Sequence, residues 1–182
     1  ACDLVLEVPT LRWDSGDLPC QLEPIASHRI RHGAFADSAQ LFDNHSIFNI
    51  SPAEAGAIDP QQRLLLEHGY AALHVMGAGK RALLGSGAGV AVGIYATEFA
   101  SVLAQSPAGR SVYASTGASL SIASGRISFV LGMQGPCASF ETACSASLVA
   151  CHSAARAVQH QECDVHLAAG VNMMLLQSTS AG

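Results

Sequence analysis

The run Gly135-Pro136-Cys137-Ala138-Ser139-Phe140-Glu141-Thr142-Ala143-Cys144-Ser145-Ala146-Ser147-Leu148-Val149-Ala150 constrains the fold more than any other segment. It reads as a short strand up to Phe140, a tight corner, and then a helix built almost wholly of small and apolar residues. Thr142 is the expected N-cap. That places Cys144 in the first helical turn, where free backbone N–H groups and the positive end of the helix dipole gather. Such a setting favours thiolate over thiol as a general matter. It also offers amide donors to an oxyanion forming at an acyl carbon on sulfur. Cys144 is therefore a candidate nucleophile for acyl transfer.

The neighbouring segments extend the same architecture. Asp59-Pro60-Gln61-Gln62 opens a helix, with Asp59 as cap, Pro60 at the first position and Gln62 three residues on, as in a capping box. Leu65, Ala72, Leu73 and Met76 are expected to share its buried face, and Gly77 and Gly79 to end it. Gly89 to Tyr95 is apolar and bounded by glycines, the pattern of a buried strand. A helix is expected over Ser119–Leu131, closed by Gly132, and a further buried strand over Asp164–Leu176. Residues 1 to about 58 read as irregular, with Phe42 to Ile50 able to pack on a core. Strands alternating with helices predict an α/β fold with a largely buried sheet.

Composition excludes several functions. Charged residues make up only 13% of the chain and the net charge is −5, with no basic cluster. Nucleic acid is thus not the expected partner. The uncharged, apolar stretch Ala82 to Thr97 is cut by four glycines, so no membrane span is expected. No Cys-x-x-Cys or His-Glu-x-x-His pattern occurs, so no metal site is expected. Gly85 to Gly89 precedes a strand instead of following one, against a Rossmann loop, and no Gly-x-Ser-x-Gly elbow exists. Cys151 and Cys163 are expected to be packed and inert. Arg126, a lone cation in an uncharged stretch, is expected in a salt bridge within the domain, to Glu141 or Glu98; a place at a dimer seam is the alternative.

Four blocks together resemble one family: Asp59-Pro60-Gln61-Gln62-Arg63-Leu64-Leu65-Leu66-Glu67; Ser124-Gly125-Arg126-Ile127-Ser128-Phe129 with Leu131-Gly132 and Gly135-Pro136; Thr142-Ala143-Cys144-Ser145; and Glu162-Cys163-Asp164 leading into Ala169-Gly170-Val171-Asn172. The chain resembles the β-ketoacyl synthase (ketosynthase) domain of type I polyketide synthases, and more distantly that of animal-type fatty acid synthases. The resemblance runs from about residue 5 to the end.

It implies a thiolase-like fold, an αβαβα sandwich, of which residues 1–182 are expected to be the N-terminal half, truncated at both ends. It implies that Cys144 accepts an acyl chain from the phosphopantetheine arm of an acyl carrier protein and condenses it with malonyl-carrier by decarboxylative Claisen condensation. No cofactor is implied beyond that carried arm. A homodimer is expected, and the cytoplasm is the default location, with a plastid as the alternative.

The family's two histidine motifs, His-Gly-Thr-Gly-Thr and Asn-x-Gly-His, are absent from this sequence. The chain by itself is therefore expected not to run the full reaction. The family's usual Asp before Thr-Ala-Cys is Glu141 here, and its usual serine after Cys-Ser is Ala146. These departures keep a second reading open: a degenerate ketosynthase-like domain serving dimerisation or carrier binding. A condensing enzyme acting on CoA esters is a third; the Asp59–Glu67 block argues for the carrier-dependent branch.

Overall fold

A computed structural model describes residues 5–9, 31–35, 42–95 and 98–176. The chain divides into two units: Ala1–Gln40 with Met174–Gly182, and Leu41–Met173. In the first, β1 (Val5–Glu7) and β2 (His32–Ala34) pair antiparallel with Leu6 opposite Gly33, and the Val8 N–H donates to Arg31 O at 2.8 Å. Cys2, Cys20 and His28 lie outside the described residues.

The second unit is built on a parallel sheet. Strand β3 (Gly89–Ile94) is central, flanked by β4 (Cys137–Phe140) and β5 (His166–Val171). Val92 stands opposite Ser139 on one side and Ala169 on the other. All six residues of β3 are buried, as expected of an apolar run covered on both faces.

Alternation along β3 assigns its two faces. Val90, Val92 and Ile94 join the main core, where the sheet meets the helices α2 (Pro60–Val75) and α6 (Ile122–Leu131). Ile58, Leu66 and Ile127 there are fully enclosed, each stabilising by roughly 1.5–3 kcal/mol relative to exposure. Ala91 faces the other way and packs with Ala150 and Ala154 of α7 (Ala146–Gln159). Layering is thus helix, sheet, helix. The short helices α1 (Pro52–Ala57), α3 (Lys80–Leu83), α4 (Phe99–Ala104) and α5 (Ala114–Gly117) complete the unit.

Several expectations are corrected. The stretch before residue 58 is not wholly irregular: Pro52–Ala57 is a helix whose cap, Ser51 Oγ, accepts from the Glu54 N–H at 3.2 Å. Phe42, Phe48 and Ile50 are buried as anticipated, with Phe48 edge-on to Tyr70.

Asp59 does cap α2, Oδ1 accepting from Gln61 N–H at 2.8 Å. No capping box forms, because the Asp59 N–H already donates to Gly117 O. The Gln62 side chain is released to donate to Ser119 O at 3.0 Å. The buried face of α2 carries Leu65, Leu66, Gly69 and Leu73, while Ala72 and Met76 are exposed.

Helix α6 starts at Ile122, not Ser119. Ser119 is held out of it by Gln62 and by its own hydroxyl contact to Ser121 at 2.9 Å. Strand β5 covers only His166–Val171, and its residues are alternately exposed. Beyond Val171 the chain leaves the ladder, and the Met173 N–H donates to Gln61 Oε1.

Candidate active site

At the end of β4 the chain makes a sharp elbow. Thr142 has φ −132°, ψ 42°, and a 3-10 turn, Ala143–Ser145, carries the chain into α7. Ala143 adopts φ +51°, a left-handed conformation that costs an L-residue about 1–2 kcal/mol. Cys144 therefore sits on the elbow itself, two residues before the α-helix, not in its first turn. Its thiol is exposed.

Thr142 does not act as a side-chain cap. Instead the Ser145 hydroxyl donates back to Thr142 O at 2.8 Å and to Thr142 Oγ1 at 3.0 Å, which ties the turn shut. Two of its amides are committed internally, Ser145 N–H to Thr142 O and Ala146 N–H to Ala143 O. The supply of free donors beside the sulfur is smaller than the sequence suggested.

The elbow lies at the carboxyl ends of β3 and β5, the usual place for a site in a parallel α/β sheet. Two glycines bring it there. A Cβ on Gly93 would stand 2.4 Å from the Ala146 carbonyl carbon, and one on Gly170 would stand 2.4 Å from Ser147 Cβ. With no side chains at these points, the start of α7 rests directly on the strands. A cavity of about 530 Å³ opens there, lined by Cys144, Ser147, Tyr95, Val171 and Asn172 among others. Of these, only Cys144 was singled out from sequence as a site residue. Gly93 and Gly170, glycines near the ends of two apolar strands, were the available signal for the rest.

The departures Glu141 and Ala146 find a place here. Glu141 is exposed at the corner. Ala146 is buried with its backbone against Gly93. Neither covers the thiol.

The other singled-out residues lie elsewhere. Arg126, buried in α6, donates from Nη1 to Glu54 Oε1 and from Nε to Gln62 Oε1, both at 2.7 Å. The in-domain salt bridge is present, but its partner is Glu54, neither Glu141 nor Glu98, because α6 packs on the α2 face of the sheet. Cys163 is buried, and burial pushes its thiol above the ordinary value. Cys151 is exposed, contrary to expectation: the buried seam of α7 is Ala146, Ala150, Ala154 and Ala157, which leaves Cys151 on another face. Among the described residues no group of three His, Cys, Asp or Glu side chains could hold a metal ion. No helix among them is long and apolar enough to cross a membrane.

Residues 2–182 match the family model described as the β-ketoacyl synthase N-terminal domain. The chain belongs to this family. It is 45% identical over 183 residues to a type I phenolphthiocerol synthesis polyketide synthase of Mycobacterium bovis, covering 99% of this chain and 8% of that protein. A polyketide synthase of Streptomyces halstedii is 43% identical over 94% of the chain and 3% of its own length. The ketosynthase from module 6 of the bacillaene synthase of Bacillus subtilis, solved as a cysteine-to-serine mutant, superposes with a TM-score of 0.83 at 32% identity, over 97% of this chain and 28% of that one. The fold is thus the thiolase-like α/β fold of ketosynthases. The ketosynthase chain spans about a tenth or less of the length of the curated relatives it matches.

Proposed function

We propose that this ketosynthase chain supplies the nucleophile half of a condensing site, with Cys144 as acyl acceptor. The observation that carries the reading is the exposed Cys144 thiol on a left-handed elbow, opening into a cavity at the ends of β3 and β5. In the first step the Cys144 sulfur attacks the carbonyl of an acyl thioester on the phosphopantetheine arm of a carrier protein. The arm's thiol leaves, and the acyl group stays on sulfur. In the second, malonyl-carrier loses CO₂, and the resulting carbanion displaces Cys144 from the acyl carbon. The residues assisting decarboxylation in the family stand in motifs absent from residues 1–182, which we take to be the N-terminal half of the domain. This half accordingly does not condense by itself. The dimeric state follows from the same family reading.

Glu141 and Ala146 do not favour the non-catalytic alternative, since one is exposed at the corner and the other fits the tight contact with Gly93. The test is acyl loading of the full-length protein from an acyl-carrier thioester, read by peptide mass. The wild type is expected to carry the acyl group on the Cys144 peptide. Cys144→Ala is expected to carry none, and Cys144→Ser very little, because an alcohol is barely ionised at neutral pH. Undiminished loading of Cys144→Ala would remove Cys144 from the reaction.

A further inference from the structure

Gln61 and Gln62 are adjacent and both almost fully enclosed, at 1% exposure each. A buried amide is costly unless hydrogen-bonded, so each needs a structural reason. Gln62 has one within the core: it donates to Ser119 O and accepts from Arg126 Nε. Gln61 turns elsewhere. Its Oε1 accepts the Met173 N–H at 3.2 Å, across 112 residues of sequence.

The position of that contact is informative. Strand β5 flanks the sheet and is paired with β3 only, and its last partnered residue is Val171, opposite Ile94. The cavity wall continues past this point through Asn172. Beyond Val171 the ladder no longer supports the backbone, and the next anchor is the Gln61 side chain, itself fixed at the capped start of α2. The Gln61 side chain also hydrogen-bonds the Asp59 carboxyl, a bond that uses its amide N–H and leaves the carbonyl for Met173; burial alone would be served by leucine. The side-chain carbonyl is accounted for by what it holds.

We infer that Gln61 is a positioning residue for the acyl site: through Met173 it fixes the Val171–Asn172 wall facing Cys144, and so the fit of the incoming acyl chain. The inference rests on Cys144 as acyl acceptor. Gln61 is not among the residues lining the cavity, so its effect falls on acyl fit and not on sulfur reactivity.

The test compares two reagents on Cys144 in the full-length protein. Iodoacetamide is small and needs no wall; an octanoyl thioester of N-acetylcysteamine needs a fitted one. Gln61→Leu is expected to lower the rate of acylation roughly tenfold relative to alkylation, since sub-ångström misplacement is costly to transfer reactions. A merely structural role would depress both rates together or neither.

An unchanged ratio in Gln61→Leu, with the wild type loading normally, overturns this inference alone. Failure of the wild type to acquire any acyl group on Cys144 overturns the nucleophile reading, and the inference with it. Hydrogen exchange on the wild type decides the matter independently of whether Gln61→Leu folds. Protection of the Met173 amide comparable to β5 supports the anchor, and exchange as fast as an exposed loop overturns it.

Discussion

Gly93 and Ala146 meet backbone to backbone: a Cβ on Gly93 would stand 2.4 Å from the Ala146 carbonyl carbon and equally close to Ser147 N. What blocks the added methyl is main chain, which cannot rotate away. Gly93→Ala is therefore expected to lift the start of α7 off β3, destabilising the domain by about 1–3 kcal/mol as an overpacked core does. Because the elbow is continuous with α7, acyl loading on Cys144 is expected to fall more than stability alone would require. Denaturant unfolding and loading of the folded fraction measure the two separately. Normal loading by a folded Gly93→Ala protein would contradict the contact.

Arg126 is buried and joined to both Glu54 and Gln62. Arg126→Met deletes the cation and leaves a partly buried carboxylate and a buried amide oxygen without it. The expected loss is about 3 kcal/mol, as for breaking a buried pair from one side. Glu54→Gln keeps an oxygen acceptor at the more exposed end and is expected to lose only about 1 kcal/mol. Equal losses in denaturant unfolding would show that the carboxylate charge dominates over the bond to Gln62.

Burial pushes the Asp59 carboxyl above its ordinary value of 3.8, against the opposing pull of Gln61 and Arg63. The folded protein then holds a proton that the unfolded chain releases, in the window from 3.8 up to the raised folded value. The contribution of Asp59 is full below that window and is lost as pH rises through it. Asp59→Asn has no proton to lose and retains an oxygen for the Gln61 N–H. Its melting temperature minus that of the wild type is expected to grow more positive from about pH 4 toward neutrality. A difference that is flat with pH would refute this.

Among the described cysteines, Cys137, Cys144 and Cys151 are exposed, while Cys163 is buried with its thiol pushed up by desolvation. Brief iodoacetamide treatment of the folded protein at neutral pH is expected to label the first three and spare Cys163, by peptide mass mapping. Labelling of Cys163 is expected only on unfolding. Early labelling in the native state would show that the strand approach beside it opens readily.

The features legible in the sequence were those decided by near neighbours. The buried strand Gly89–Ile94, the Asp59-Pro60 helix start and the strand–corner–helix around Cys144 each follow from local chemistry. What sequence missed depends on residues far apart in the chain. Gln62 fits a capping box on spacing, but Gly117 takes the N–H that the box would need. Arg126 finds Glu54, 72 residues away, because helices α1, α2 and α6 share one side of the sheet. Thr142 looks like a cap, yet Ser145 engages it first and delays the α-helix past Cys144. Cys151 is expected to be packed, but small residues take the seam of α7 and leave it exposed.

The buried seam of α7 consists only of alanines, Ala146, Ala150, Ala154 and Ala157. Single methyl groups have no rotamers to exchange, so this seam cannot absorb change by repacking. The height of the elbow above the sheet is thus dictated by main chain and carries almost no side-chain freedom. Variation in the shape of the cavity therefore has little room at its floor. It is left to side chains such as Tyr95 and Asn172, which can vary without moving the sulfur.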